Sequence, residues 1–286
     1  MSDMSISRRN FVVERLRKEK LKELLAKGQR LDGRGLRDYR SLSISTSVVS
    51  KAEGSAQVYL GNTAVIAGVK TSLDRPYRDT PDRGNLIVNA ELLPLASPYI
   101  ELGPPNENAI ELARVVDRGI RESGMVDMTK MVVKPGELVY SIFVDINVLN
   151  IDGNLLDAAS YAAVAALASS RVPEYTLGDN GSPVQTGNRI PLPVTTIPVS
   201  ITAAKIGEYV LYDPTEEEEA VMDTRLTMAF TEDGICALQK GGSGGWAPAE
   251  VIELVEGSFE KAKEIREQIR RGLGVGQAET AQGTGS

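Results

Sequence analysis

Two adjacent segments constrain the fold of this chain more than any others. In the first, Leu138, Tyr140, Ile142, Val144, Ile146 and Val148 are apolar at every second position, while Ser141, Asp145 and Asn147 lie on the other side. A period of two over that length predicts a long strand with one face in a core. In the second, Leu156–Ser170 is rich in alanine and nearly free of charge. A helix of that kind is poorly suited to standing in water and well suited to lying flat on a sheet. Asp152-Gly153-Asn154 separates the two, so strand and helix are joined by one tight turn.

The same alternation of periods runs along the rest of the chain. Asn10 to Lys27 reads as a basic amphipathic helix, with Asn10 as N-cap, Val13, Leu16, Leu21, Leu24 and Leu25 on or near one side, and Gly28 as the stop. Leu42, Ile44, Thr46 and Val48 then alternate with serines, and Ala56–Leu60 and Thr63–Lys70 flank Gly61-Asn62, a pair suited to a type II′ hairpin turn. Pro76 to Gly84 is a polar loop, and Asn85–Leu93 is a further strand. Asn106–Ser123 is a helix whose apolar stripe is expected at Ile110, Ala113, Val116 and Ile120. A connector at Leu177–Pro193 separates two halves. Beyond it, strands are expected at Val194–Ile201, Tyr209–Tyr212, Val221–Thr231 and Ile235–Gln239, with a last helix from Pro248 to about Arg271. Strands followed by helices, twice, predicts an α+β pseudo-repeat. Its expected divisions are 1–29 for the basic helix, 30–190 and 191–273 for the two units, and 274–286 for a disordered tail.

Composition restricts the chemistry. There is no histidine, which excludes Ser-His-Asp and Cys-His catalysis and His-ligated metals. The single cysteine, Cys236, excludes an internal disulfide and a Cys-cluster zinc site, and in the run Ile235–Leu238 it reads as a small buried hydrophobe. No metal and no cofactor are expected. No apolar run approaches the roughly 18–20 residues that span a bilayer, so a soluble, cytoplasmic protein without membrane contact is expected. The net charge of −7 opposes a free-standing nucleic-acid binder. It is unevenly spread, with 12 Lys+Arg against 6 Asp+Glu in residues 1–40 and 20 against 33 in the remainder, so any contact with a polyanion must be local.

Four constellations have chemical potential. Arg114, Arg118 and Arg121 are spaced i, i+4, i+7 and fall within about 60° of one another on a helix, a track for consecutive phosphates. Glu111, Asp117 and Glu122 lie close enough to neutralise them as ordinary surface pairs, so periodicity leaves both readings open. The turn at Asp152–Ala158 is a place where backbone N–H groups commonly hold phosphate, but Asn154, Leu155, Leu156 and Asp157 offer no hydroxyl or cation to complete such a site. Glu216–Glu219 with Asp213 and Asp223 reads as a solvated acidic turn before it reads as a Mg²⁺ site. Gly241–Gly245, with Lys240 and Trp246 beside it, does not match a P-loop and reads as a flexible connection.

Residues 30 to about 270 resemble the RNase PH family. The resemblance rests on Arg30-Leu31-Asp32-Gly33-Arg34, on Gly54-Ser55-Ala56 through Gly61-Asn62-Thr63-Ala64-Val65, and on Thr80-Pro81-Asp82-Arg83-Gly84-Asn85-Leu86 with Val88 to Pro94. The run Gly103-Pro104-Pro105-Asn106-Glu107-Asn108 through Arg118 is similar to the non-catalytic ring subunit of the archaeal exosome. The resemblance implies an RNase PH-like α+β fold of two βαβα-type units, packed as a pseudo-repeat, with an added N-terminal helix. It implies a hexameric ring of three heterodimers, each pairing this chain with a catalytic RNase PH-like exosome subunit. RNA-binding cap subunits would deliver single-stranded RNA for 3′→5′ phosphorolytic degradation.

The family's active members carry a Gly-Ser/Thr-Arg phosphate loop where this chain has Gly153, Asn154 and Leu155, and an arginine pair where it has Glu107 and Asn108. The approximate counterpart of their catalytic aspartate lies within Glu216–Glu219. The resemblance therefore implies no catalytic residues in this chain, with Arg114 and Arg118 binding RNA beside the partner's site, and it leaves Arg121 open. Three rival expectations remain. One is an active phosphorolytic exoribonuclease, the second is a small-molecule phosphotransferase that would bind a nucleotide near Gly241–Gly245, and the third is a pure scaffold with no RNA contact.

Overall fold

The computed structural model describes residues 18–101 and 103–274. Strand β1 (Leu42–Thr46), β2 (Gly54–Leu60) and β3 (Thr63–Asp74) form an antiparallel meander. It continues into the long β6 (Leu138–Asn150), which takes β4 (Asn85–Leu92) on its far side and the short β5 (Val132–Lys134) at one end. The pair β4–β6 is parallel and is bridged by helix α2 (Glu107–Glu122), as a parallel pair requires a crossover. The second sheet has the order β10 (Tyr209–Tyr212), β9 (Val199–Ile206), β11 (Thr224–Phe230), β12 (Ile235–Gly242), antiparallel throughout.

Helix α3 (Leu155–Ala168) lies between the two sheets. Every residue from Leu156 to Leu167 is buried, against β2, β3 and β6 on one side and β9 on the other. The helix is apolar all round because it has no solvent face. Its close approach to β2 depends on Gly54, where a Cβ would stand 2.4 Å from the Ala166 carbonyl oxygen. The last helix, α5 (Pro248–Gly272), begins with Pro248 and packs on β9 and β1.

The described part of the N-terminal helix, α1, covers residues 18–25. Gly28 terminates it in the left-handed conformation at φ +68°, with Gln29 N–H returning to the Leu24 carbonyl. Leu21 and Leu25 pack on Ala204, Ile206, Leu211 and Val221, which fastens α1 to the second sheet. The expected cap Asn10, the stripe residues Val13 and Leu16, and residues 275–286 of the tail lie outside the described residues.

Several expectations need correction. The connector is a β-hairpin, β7 (Arg171–Leu177) with β8 (Pro183–Pro191), whose second strand is almost wholly exposed. The strand expected from Val194 starts only at Val199, after Pro198, which has no N–H to give to a ladder. On α2 the buried stripe is Ala109, Leu112, Val116 and Ile120, and Ile110 is 51% exposed. The Gly61-Asn62 turn holds, with positive φ at Gly61 alone of the two, the sign pattern of a type II′ turn.

Candidate functional site

Helix α2 is set by its N-cap, Asn106, whose Oδ1 accepts the Ala109 N–H at 2.9 Å. The helix runs antiparallel to β4, so that Arg121 at its end donates to the Leu86 carbonyl at 3.0 Å. Of the carboxylates spaced to neutralise the arginine track, one is engaged elsewhere and one pairs within the track, with Arg121. Glu111 receives Arg225 at 2.7 Å across to the second sheet, and Asp117 receives Arg121 at 2.7 Å. The hydrogen bond that Arg121 donates to Asp117 raises its guanidinium above its ordinary range, and Tyr77 is among the groups close enough to act on it. Arg114 and Arg118 are exposed and make no side-chain hydrogen bond or ion pair among the described residues. With Ile110, Glu107, Val115 and Gln239 they line an open groove of about 370 Å³.

The turn between β6 and α3 is occupied by the protein itself. Gly153 adopts φ +79°, and a Cβ there would lie 2.4 Å from the Thr215 carbonyl carbon. The segment before the short helix α4 (Glu216–Glu219) is thus pressed onto the turn. From α4, Glu219 Oε1 accepts the Asn154 backbone N–H at 2.9 Å. Burial raises the half-buried Glu219 carboxyl to about 7, in spite of that hydrogen bond and of Arg225. Beside it lies a cleft of about 510 Å³ with a mixed lining, Leu92, Leu112 and Met222 among its apolar residues and Glu111, Glu216 and Arg225 among its charged ones. Asn108 lines this cleft and Glu107 the groove of Arg114, both exposed and neither a cation; Arg225, which does line the cleft, is paired with Glu111.

Behind the turn lies a buried ionic network. Asp213 accepts from Arg40 Nη2 at 2.7 Å, Arg34 Nη1 at 2.9 Å and Asn154 Nδ2 at 2.8 Å. Burial works to raise its carboxyl, but Arg40 outweighs that and holds it below its ordinary value. Glu218, 1% exposed, accepts from Arg30 Nε at 2.9 Å. Asp157 accepts from Thr202 Oγ1 at 2.7 Å, Tyr39 at 2.8 Å and Asn154 Nδ2 at 2.9 Å, and burial raises it to about 7.

The expected solvated acidic turn is therefore half wrong. Glu216 and Glu217 are exposed, whereas Asp213, Glu218 and Glu219 are taken up internally by Arg40, Arg30 and the Asn154 N–H, and Asp223 pairs with Lys18. Among the described residues no group of three or more His, Cys, Asp or Glu is arranged to hold a metal ion. The glycine run is also not a flexible connection. Gly241 and Gly242 end β12, and Gly244 N–H donates to the Asp223 carbonyl at 2.8 Å, while Lys205 lies over the Trp246 ring at 5.5 Å. Cys236 is half-buried, its Sγ 3.3 Å from the Ala229 carbonyl, and burial pushes its thiol up. No helix among the described residues is long and apolar enough to cross a membrane.

Sequence reasoning missed the self-occupied turn and the Arg–Asp–Glu network behind it. Arg30, Arg34 and Arg40 ahead of a distant acidic run were the available signal, but nothing local pairs them.

Comparison with known proteins agrees with this architecture. The model of the 3′ exoribonuclease family, domain 1, matches residues 38–173, and that of domain 2 matches residues 196–261. The chain is 48% identical to an exosome complex component Rrp42 of Thermococcus kodakarensis, over 92% of this chain and 97% of the relative. It is 44% identical to that of Methanopyrus kandleri, over 92% and 98%. Among solved structures it superposes on a chain of the Archaeoglobus fulgidus exosome with RNA bound to the active site, with a TM-score of 0.83, 46% identity and coverage of 90% and 99%. A chain of an archaeal exosome core superposes with a TM-score of 0.79, 42% identity and coverage of 91% and 98%. Two consecutive domains in the family's order, and close to half of all residues shared over nine-tenths of the chain, establish that this protein belongs to the RNase PH family of 3′ exoribonucleases.

Proposed function

We propose that the chain is a non-catalytic subunit of an exosome ring. In this reading it pairs with a catalytic RNase PH-like subunit, three such heterodimers close a hexamer, and RNA-binding cap subunits feed single-stranded RNA into it. Arg114 and Arg118 hold the RNA beside the partner's active site during 3′→5′ phosphorolysis. The names of the relatives and the exosome assemblies containing the similar chains support membership. The division into units 30–190 and 191–273, and a place in the cytoplasm, belong to the same reading.

The hydrogen bond from Asn154 N–H to Glu219 carries the claim of inactivity. Phosphorolysis needs an anion seat for the attacking phosphate, and this turn is the one the family's active members would use. Here a carboxylate already accepts its N–H. A phosphate entering there would have to displace that carboxyl, and it would meet its negative charge only where pH exceeds the value of about 7 to which burial raises it. The missing cations are a further loss, since removing one transition-state donor typically costs about 10²–10³-fold in rate.

For RNA contact, the supporting observation is that Arg114 and Arg118 pair with no carboxylate among the described residues, whereas Arg121 and Arg225 do. The test is to incubate the isolated chain with poly(A) and phosphate and then add the catalytic partner. Nucleoside diphosphates are expected only after the addition, and their release before it would overturn the reading.

A further inference from the structure

The loop joining β3 to β4 continues the line of arginines on α2. The rise from Arg114 to Arg121 is about 10 Å along the helix, and Arg121 ends at the Leu86 carbonyl, at the start of β4. The loop itself is pinned rather than loose. Asn85 Nδ2 donates to the Arg75 carbonyl at 3.1 Å, Gly84 N–H to the Met128 carbonyl at 2.9 Å, and Gly136 N–H to the Pro81 carbonyl at 2.9 Å. On this frame Tyr77 stands 52% exposed, with exposed Arg75, Arg78 and Arg83 around it in sequence. None of these three guanidiniums makes an ion pair among the described residues, although Asp74 ends β3 beside them and Asp79 and Asp82 lie on the same loop.

The chemistry selects the ligand. Docking a protein surface here would desolvate the exposed charged side chains that flank Tyr77 in sequence, a large penalty. A single-stranded polynucleotide instead offers a π-face to the ring while its phosphates and the loop charges stay in water. Counted with Asp74, the loop's charges cancel, so the contact is led by stacking rather than by net charge.

We infer that Tyr77 is a stacking platform for one base of single-stranded RNA, placed one step beyond the α2 arginines. The inference rests on the RNA path proposed for Arg114 and Arg118, and its test separates the two. Rings assembled with the catalytic subunit would be titrated with fluorescent oligo(A) over a series of salt concentrations.

Tyr77→Ala is expected to weaken binding by about 5- to 100-fold and to leave the slope of log K against log salt unchanged, while Tyr77→Phe binds as the parent does. Arg114→Ala with Arg118→Ala is expected to lower that slope by about 0.7 for each phosphate that is no longer neutralised. If the arginine variant behaves so and Tyr77→Ala binds normally, the inference fails and the RNA path stands. If neither changes binding, both fail. Equal loss in Tyr77→Ala and Tyr77→Phe would assign the effect to the hydroxyl and refute stacking. Loss of the hexamer on sizing would assign Tyr77 to a protein interface and refute it as well.

Discussion

Glu219 closes the turn that opens α3, its Oε1 standing 2.9 Å from the Asn154 N–H. The two residues are 65 positions apart, and their contact joins the second sheet's connecting segment to the end of the first sheet's longest strand. A side chain of this protein thus satisfies a helix-terminal donor that would otherwise face the cleft.

Removing that carboxylate should change what the turn accepts. Glu219→Ala is expected to let inorganic phosphate bind weakly where the parent shows none, measured by phosphate-dependent chemical shifts at Asn154 and Leu155. On the proposed reading the variant should still release no nucleoside diphosphates from poly(A), because Glu107 and Asn108 supply no cation. Identical phosphate titrations of parent and variant would refute a blocking role.

The same carboxyl makes stability depend on pH. Glu219 and Asp157 both stand at about 7 in the folded chain, above their ordinary values of 4.5 and 3.8, because burial disfavours the charged form. Between those values the folded state binds more protons than the unfolded state, so stability falls as pH rises from about 4 to about 7. Asp213, held low by Arg40, acts in the opposite sense, and its contribution is lost as pH falls through its depressed folded value. Urea midpoints of the parent at pH 5 and pH 7.5 should show the decline, and Glu219→Gln should reduce it.

Asp213→Ala should be severely destabilising. It would leave Arg40, with 8% of its side chain exposed, and Arg34, with 13%, without their buried acceptor. Breaking one side of such a pair costs about 3–5 kcal/mol. Urea denaturation of the isolated subunit measures this, and a loss under about 1 kcal/mol would contradict the network's role.

Charge reversal on α2 separates free from tethered arginines. Arg114→Glu with Arg118→Glu should weaken RNA retention and processive trimming by the assembled ring at physiological salt. Arg121→Ala should do less, because Asp117 and the Leu86 carbonyl already hold that guanidinium. The check is a trimming time course on one RNA with both rings.

Gly54→Ala tests the packing of α3. The added methyl would meet Ser170 Oγ at 2.1 Å and the Ala166 carbonyl oxygen at 2.4 Å. Overpacking of that kind costs about 1–3 kcal/mol, which a thermal unfolding curve resolves.

Sequence alone determined what depends on neighbours along the chain. The period of two in β6, the alanine-rich run of α3, the Asn106 cap, the Gly61-Asn62 turn and the i, i+4 placement of Arg114 and Arg118 are all local. Local sterics and hydrophobic pattern suffice to specify such features. Tertiary structure decided the rest. It turned α2 so that Ile110 faces out, paired β7 with β8, and sent Glu111 to Arg225, while the local i, i+4 pair of Asp117 with Arg121 left Arg114 and Arg118 without acidic partners among the described residues. It also seated Glu219 on Asn154 and buried Asp213 among arginines from the chain's start. These depend on which charges meet after the sheets close over α3. Ion pairing across such separations has no periodicity, so no reading of spacing along the chain contains it.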